Sequence, residues 1–276
     1  MLGNKFKDLK QVAIDNKKQF LEGEPFPHIV FDDFFDPNVL LDCSNDFPDL
    51  AITSSTKFNN PAEIKLASKR GDEQQPESIK QLLRFLNSHE FLDFLQELTS
   101  IKEPLVPDPH FCGGGLHEIK AGGLLKVHAD FCRHPETGLD RRLNILIYLN
   151  QDWKASYGGD LQLWDKEMKE CRQKILPTFN RLVIFNTNDF TYHGHPDPLQ
   201  CPENRSRKSL AIYYFSNGRP SSELRPTNIN QSTLFVKRPG EAYNEKKSNS
   251  FSMKTIAREL LPPVAIKIAK KVIKRA

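Results

Sequence analysis

"HADFCRHPETGLDRRLNILIYLNQDW", residues 128–153, sets a histidine and an aspartate one residue apart just ahead of an apolar strand. Residues two apart at a strand end project to the same side, so His128 and Asp130 can offer an imidazole nitrogen and a carboxylate oxygen to one ion. The segments on either side share this texture. "GGLLKVHAD" (122–130), "RLNILIYLN" (142–150), "GGDLQLW" (158–164), "RLVIFNT" (181–187), "TYHGH" (191–195) and "KSLAIYYFS" (208–216) are short β-type runs separated by glycine, proline and asparagine. Such runs, with no helical pattern between them, predict an all-β sandwich or barrel with a metal or ligand inside.

A third ligand has to come from a strand brought alongside, and "TYHGHP" offers His193 and His195. Two histidines and one carboxylate on one face of an ion leave three positions open, the arrangement of non-haem iron(II) oxygenases. Arg207 follows His193 by 14 residues at the start of "RKSLAIYYF", where its guanidinium can grip a carboxylate by a two-pronged fork; Arg205 is the alternative, but it precedes the strand.

Outside this zone the spacing changes. In residues 1–104 apolar positions recur at helical intervals, as in "FLNSHEFLDFLQELT" (85–99), and Asp36 can cap a helix whose first residue is Pro37. The polar stretch 51–78 reads as a surface excursion able to act as a lid. Residues 105–220 form the β core, and 221–276 a proline-broken coil ending in "PPVAIKIAKKVIKRA". There Ala265, Ile268, Ala269, Val272 and Ile273 oppose Lys267, Lys270, Lys271 and Lys274, a basic amphipathic helix that either packs on the body or touches a membrane surface or partner.

Composition narrows the classes. The 39 basic and 35 acidic residues nearly balance, so nucleic acid is not the expected partner. Five widely spaced cysteines with no CxxC pair argue against a disulfide framework or zinc ribbon and for a reducing, cytoplasmic setting. The first twenty residues carry charges every few positions, unlike a secretory signal, and no run reaches the roughly 18 apolar residues of a membrane span.

Taken in order and spacing, "HAD", "YLNQDW", "GGDLQLW", "RLVIFNTND", "TYHGHP" and "RKSLAIYYF" resemble the iron(II)/2-oxoglutarate-dependent dioxygenases, in their prolyl 4-hydroxylase-like branch; "PFPHIVFDDFFDP" (25–37) is similar to the entry segment of those proteins. The resemblance implies a double-stranded β-helix (jelly-roll) flanked by N-terminal helices and a C-terminal helix. It implies His128, Asp130 and His193 as ligands of Fe(2+), and Arg207 with Tyr148 as the anchor of the far carboxylate of 2-oxoglutarate. Dioxygen is the third reactant, and ascorbate is a further cofactor the resemblance allows. One departure stands out: Ile119 occupies the place of a family tyrosine, leaving the other carboxylate to Asn144 or Lys126. His195 reads as a residue beside the metal or facing substrate.

The implied activity is hydroxylation of an unactivated C–H bond in peptidyl proline or in a small or sugar-linked metabolite. Arg133, Arg141 and Arg142, in and beside the loop that follows Asp130, hint at an anionic substrate. Asp130 excludes a halogenase of this type, which leaves that position to chloride. A cupin-like metal protein acting as isomerase or hydrolase, or a non-catalytic binding module on the same fold, are the alternatives.

Overall fold

The computed structural model describes residues 1–53, 55–223 and 233–242; the amphipathic segment 265–274 lies outside the described residues. Among the described residues four α-helices and thirteen strands follow one another: α1 (Leu9–Leu21), β1 (His28–Asp32), α2 (Pro37–Asn45), β2 (Thr56–Asn60), β3 (Glu63–Ala67), α3 (Glu77–Leu86), α4 (His89–Thr99), β4 (Val106–Pro107), β5 (Gly115–Lys120), β6 (Leu124–Ala129), β7 (Asp140–Tyr148), β8 (Leu161–Trp164), β9 (Cys171–Ile175), β10 (Arg181–Asn186), β11 (Tyr192–His195), β12 (Ser206–Ser216) and β13 (Leu234–Phe235).

Eight strands build the core as two four-stranded antiparallel sheets, in the orders β5-β12-β7-β10 and β6-β11-β8-β9. This is the double-stranded β-helix. β1 extends the first sheet alongside β10, and β3 pairs with both β5 and β6, joining the two sheets at one edge.

Period-two alternation decides what each face of the first sheet does. Leu143, Ile145 and Ile147 of β7, Leu182 and Ile184 of β10, and Leu210, Ile212 and Tyr214 of β12 point outward. They form one core with Leu9, Val12, Phe34, Leu40, Leu82, Leu86, Phe91 and Phe94 from the helical region. The intervening residues Asn144, Phe185, Arg207, Ser209, Ala211 and Tyr213, with His117 and Ile119 of β5, line a cavity between the sheets. A strand covered on both faces reads as a continuous apolar run, which is why "RLNILIYLN" shows no polar alternation.

The helices begin where their caps predict. Asp36 Oδ1 accepts the Asn38 amide at 2.9 Å with Pro37 in the first turn, and Asp8 does the same for Gln11 at 3.0 Å.

Two expectations need correcting. Residues 1–104 are more than a helical support, since β1, β2 and β3 all enter the sheet, so position 104 marks no break in pairing. The excursion 51–78 contains the β2–β3 hairpin, and Lys65 from it reaches the cavity. Its polar composition concealed the strands because one face of the hairpin is largely exposed. The coil after 220 also returns: β13 pairs with β6, opposing Leu234 to Ala129 and Phe235 to His128.

Candidate metal and ligand site

β6 and β11 lie side by side with His128 directly opposite His193, their ring centroids 4.5 Å apart, and Asp130 follows at the end of β6. His128 Nε2 is 3.5 Å from Asp130 Oδ1, and His193 Nε2 is 3.3 Å from Oδ2. One ligand atom from each of the three falls within 4.8 Å of the others. The far ring nitrogens are oriented by backbone: Nδ1 of His128 faces the Lys126 carbonyl at 2.8 Å, and Nδ1 of His193 faces the Thr191 carbonyl at 3.1 Å. A carbonyl there places the proton on Nδ1 and leaves Nε2 as a lone-pair donor aimed inward.

Electrostatics prepares the same state. Burial, reinforced by the neighbouring His193, lowers the His128 pKa against the opposing pull of Asp130, so the ring is neutral at neutral pH. Burial alone would raise the Asp130 pKa, but the buried Arg141 guanidinium beside it outweighs burial and holds it well below the usual carboxylate range.

The groups behind Asp130 are more elaborate than the sequence suggests. Arg141, fully buried, donates from Nη2 to Asp130 Oδ2 at 2.9 Å, and Asn144 Nδ2 donates to the same oxygen at 2.6 Å. Asn144 Oδ1 accepts from Arg141 and from Thr187. The Arg141 guanidinium lies 3.3 Å from the centroid of the Tyr213 ring. Asn144 therefore orients the aspartate, and it also lines the cavity in which it was expected to meet the cosubstrate. Arg141 and Arg142 do not present charge to a substrate. Arg142 is buried against Glu103, Ser216 and Glu223, and only Arg133 of the three is exposed. The two adjacent arginines sit beside a register shift between β7 and β12 and enter separate buried ion pairs, which a basic cluster in the sequence does not reveal.

At the opposite end of the cavity Arg207, 4 % exposed, donates from Nε to the Gly159 carbonyl at 2.8 Å and from Nη2 to the Tyr148 hydroxyl at 3.1 Å. The Tyr148 oxygen accepts, so its own O–H is available to a ligand beside the Arg207 Nη1. Burial raises the Tyr148 pKa, keeping that proton in place. Gly159 has φ +78°, and a Cβ there would meet Leu199 at 2.6 Å and Arg207 at 3.0 Å, so glycine is what lets the arginine lie flat against the strand. Ile119 does line the cavity, and Lys126, its other suggested substitute, does not: its Nζ bonds the Pro196 carbonyl and Glu241.

Three further residues face the cavity that sequence reasoning assigned elsewhere or left open: Lys65, His117 and His195. His117 is next to Ser209 in the β5–β12 register and on the same face as Ile119. Its signal was alternation from Ile119, usable only once the pairing was known.

The rim has two parts. On one side residues 233–242 cover β6: Phe235 stands 5.6 Å from the His128 ring, Val236 N–H bonds the Val127 carbonyl, and Arg238 links Asp197 to Glu241. On the other, an open groove lined by Phe58, Ser68, Lys69, Phe111, Gly113 and Gly114 shares Lys65 and His117 with the cavity.

Asp108, Cys112 and His134 form a second buried trio with converging donor atoms. It is built as a clip. His134 Nδ1 accepts the Glu136 and Thr137 amides at 3.2 Å, which puts the ring proton on Nε2, facing Asp108 Oδ2 at 3.5 Å, and burial raises the Cys112 pKa. A protonated nitrogen and a thiol are not metal donors. The five cysteines are all free thiols, and no helix among the described residues is long and apolar enough to cross a membrane.

Comparison with known proteins adds to this geometry. Residues 114–215 match the family model of the 2OG-Fe(II) oxygenase superfamily. The mouse protein prolyl 3-hydroxylase OGFOD1 is 23 % identical over 219 residues, covering 75 % of this chain and 36 % of the mouse protein, so the chain spans about a third of the length of that curated relative. Among solved structures, a Pseudomonas putida prolyl-4-hydroxylase superposes with a TM-score of 0.55 at 16 % identity, covering 76 % of this chain and 100 % of the other. A Trichoplax adhaerens prolyl hydroxylase in complex with a hypoxia inducible factor peptide fragment gives 0.55 at 17 % identity, covering 77 % and 92 %. The superfamily uses iron(II), 2-oxoglutarate and dioxygen. The residues present fit that set: two imidazole nitrogens and a carboxylate converge at one end, and a buried arginine with a hydroxyl donor stands at the other.

Proposed function

We propose that this chain, whose residues 114–215 match the family model of the 2OG-Fe(II) oxygenase superfamily, is an iron(II)- and 2-oxoglutarate-dependent dioxygenase that hydroxylates a prolyl residue of a polypeptide. The observation that carries the reading is the pairing, in one cavity, of the His128–Asp130–His193 trio with Arg207, whose Nη2 donates to the Tyr148 hydroxyl.

Each residue then has a defined task. His128, Asp130 and His193 would hold the metal through Nε2, a carboxylate oxygen and Nε2, leaving the remaining positions to reactants. When bound, the iron supplies activation of dioxygen, one oxygen atom entering the C–H bond while 2-oxoglutarate is converted to succinate and carbon dioxide. Arg141 and Asn144 keep Asp130 ionised and fixed through Oδ2, so that Oδ1 is presented to the ion. Arg207 and Tyr148 neutralise and orient the far carboxylate of the cosubstrate. Leu146, Leu161 and Phe185 keep the wall between the two ends apolar and exclude water from it.

Two things support a polypeptide over an enclosed metabolite: the prolyl hydroxylase named among the relatives, and the open groove that runs from the β2–β3 hairpin past Gly113 and Gly114 into the cavity. An extended chain can lie in such a groove and place one side chain at the metal. The test is succinate release from 2-oxoglutarate by the iron-loaded protein, with ascorbate as reductant, across a set of proline-containing peptides. Peptide-stimulated succinate with a mass gain of one oxygen on proline is expected. Turnover stimulated only by small metabolites would overturn the polypeptide reading, and metal binding without 2-oxoglutarate consumption would return the cupin-like or binding-module alternatives.

A further inference from the structure

His195 is 4 % exposed, and neither of its ring nitrogens has a hydrogen-bond partner among the described residues. A buried imidazole in that condition has lost water and gained nothing in exchange, which native structures seldom tolerate without a ligand. Its placement shows where such a ligand would be.

β11 and β6 slip register between His193 and His195: His193 is opposite His128, whereas His195 is opposite Leu125, three residues back along β6. That direction leads to the turn at Gly122, whose amide bonds the Leu199 carbonyl, and Leu199 in turn adjoins Gly159 and Arg207. His195 is thus carried away from the metal end and toward the arginine end. The cavity wall agrees, because His195 and Arg207 line the same cavity. Gly194 makes the slip possible, since a Cβ there would meet the Leu125 and Lys126 carbonyls at 2.8 Å. On β5, in the other sheet, His117 Nε2 is also without a partner and faces the same cavity.

We propose that His195 is a cosubstrate-binding residue, donating a ring N–H to the distal carboxylate of 2-oxoglutarate beside Arg207 and Tyr148. This rests on the dioxygenase reading above. It adds a third donor to the Arg207–Tyr148 anchor, and it needs no change of protonation, because a neutral imidazole carries one N–H in either tautomer. A hydrogen bond to a charged carboxylate is the kind whose loss is felt most.

The experiment is calorimetry on manganese(II)-loaded, full-length protein, which does not turn over, with two probes: 2-oxoglutarate and 2-oxobutanoate. Both chelate a metal through the 2-oxo acid, and only the first has a distal carboxylate. Wild-type protein binding 2-oxoglutarate far more tightly than 2-oxobutanoate supports the underlying reading; equal affinity would overturn it, and the assignment of His195 with it. Given that preference, His195→Ala weakens 2-oxoglutarate about tenfold or more and leaves 2-oxobutanoate within about twofold. His195→Gln, which retains an N–H donor, recovers part of the difference. Manganese content and melting temperature equal to wild type establish that the variants fold. A His195→Ala protein that binds 2-oxoglutarate as wild type does, or that loses both probes equally, would overturn the assignment while leaving the dioxygenase reading intact.

Discussion

The two ends of the cavity are built on opposite principles. At the metal end the ligating groups are held by partners within the protein: Asp130 by Arg141 and Asn144, Asn144 by Thr187, and each histidine by a backbone carbonyl. At the far end Arg207 is positioned by Gly159 and Tyr148, yet His195 and His117 leave ring nitrogens without partners. The first end is rigid before anything binds and is suited to an ion whose ligands must be preset. The second end holds donors in reserve and is suited to a ligand that comes and goes. Substitutions at the two ends should therefore fail differently.

The largest effect is expected at Asp130. Asp130→Ala removes the one anionic ligand and leaves Arg141 buried without its partner, so iron(II) affinity should fall by more than about a hundredfold; equilibrium dialysis measures it. Arg207→Ala comes next and sharpens the contrast: metal content stays at the wild-type level while 2-oxoglutarate affinity drops about a hundredfold, read by titration of the metal-loaded protein. Arg141→Leu crosses the boundary between orientation and ligation. With Asn144 still holding Asp130, metal affinity should fall about tenfold, with little change in 2-oxoglutarate affinity beyond the share lost through the metal. If Arg141→Leu weakens 2-oxoglutarate more than metal, the two ends are not separate.

The smallest effect is on stability against pH. Burial, followed by the Lys65 cation, lowers the His117 pKa to about 3 from an ordinary value of 6.5. Between those values the unfolded chain takes up a proton that the folded protein refuses, so this group's contribution is complete above pH 6.5 and is lost as pH falls toward 3. Metal-free wild type should therefore lose melting temperature more steeply than His117→Gln over that interval, and the two curves should run parallel above it. Equal slopes would mean that the His117 site is wetter than its surroundings imply.

How much of this was legible in the sequence follows the same division. His128, Asp130, His193, Arg207 and Tyr148 were readable because spacing along single strands and the order of motifs carry them. Which of His193 and His195 faces the metal was not derivable from alternation, which puts both on one side; a one-step slip against β6 decides it. Lys65 and His117 were missed because they enter from β3 and β5, whose neighbours in the sheet are distant in the chain. Arg141 was misjudged for a related reason. It reads as surface charge in "LDRRLN", and only the β7 register turns it inward over Tyr213. The return of β13 onto β6 had no local signal at all, being a two-residue pairing more than a hundred residues from its partner.

The measurement that tests the central claim most directly is anaerobic reconstitution with iron(II) followed by addition of 2-oxoglutarate, recording the weak visible charge-transfer band that a chelated 2-oxo acid gives with ferrous iron. The two-ended cavity predicts a saturable band in wild type, its absence in His128→Ala because no metal is held, and its appearance in Arg207→Ala only at much higher 2-oxoglutarate. A protein that binds iron yet shows no band at any concentration, or an Arg207→Ala variant that saturates like wild type, would contradict it.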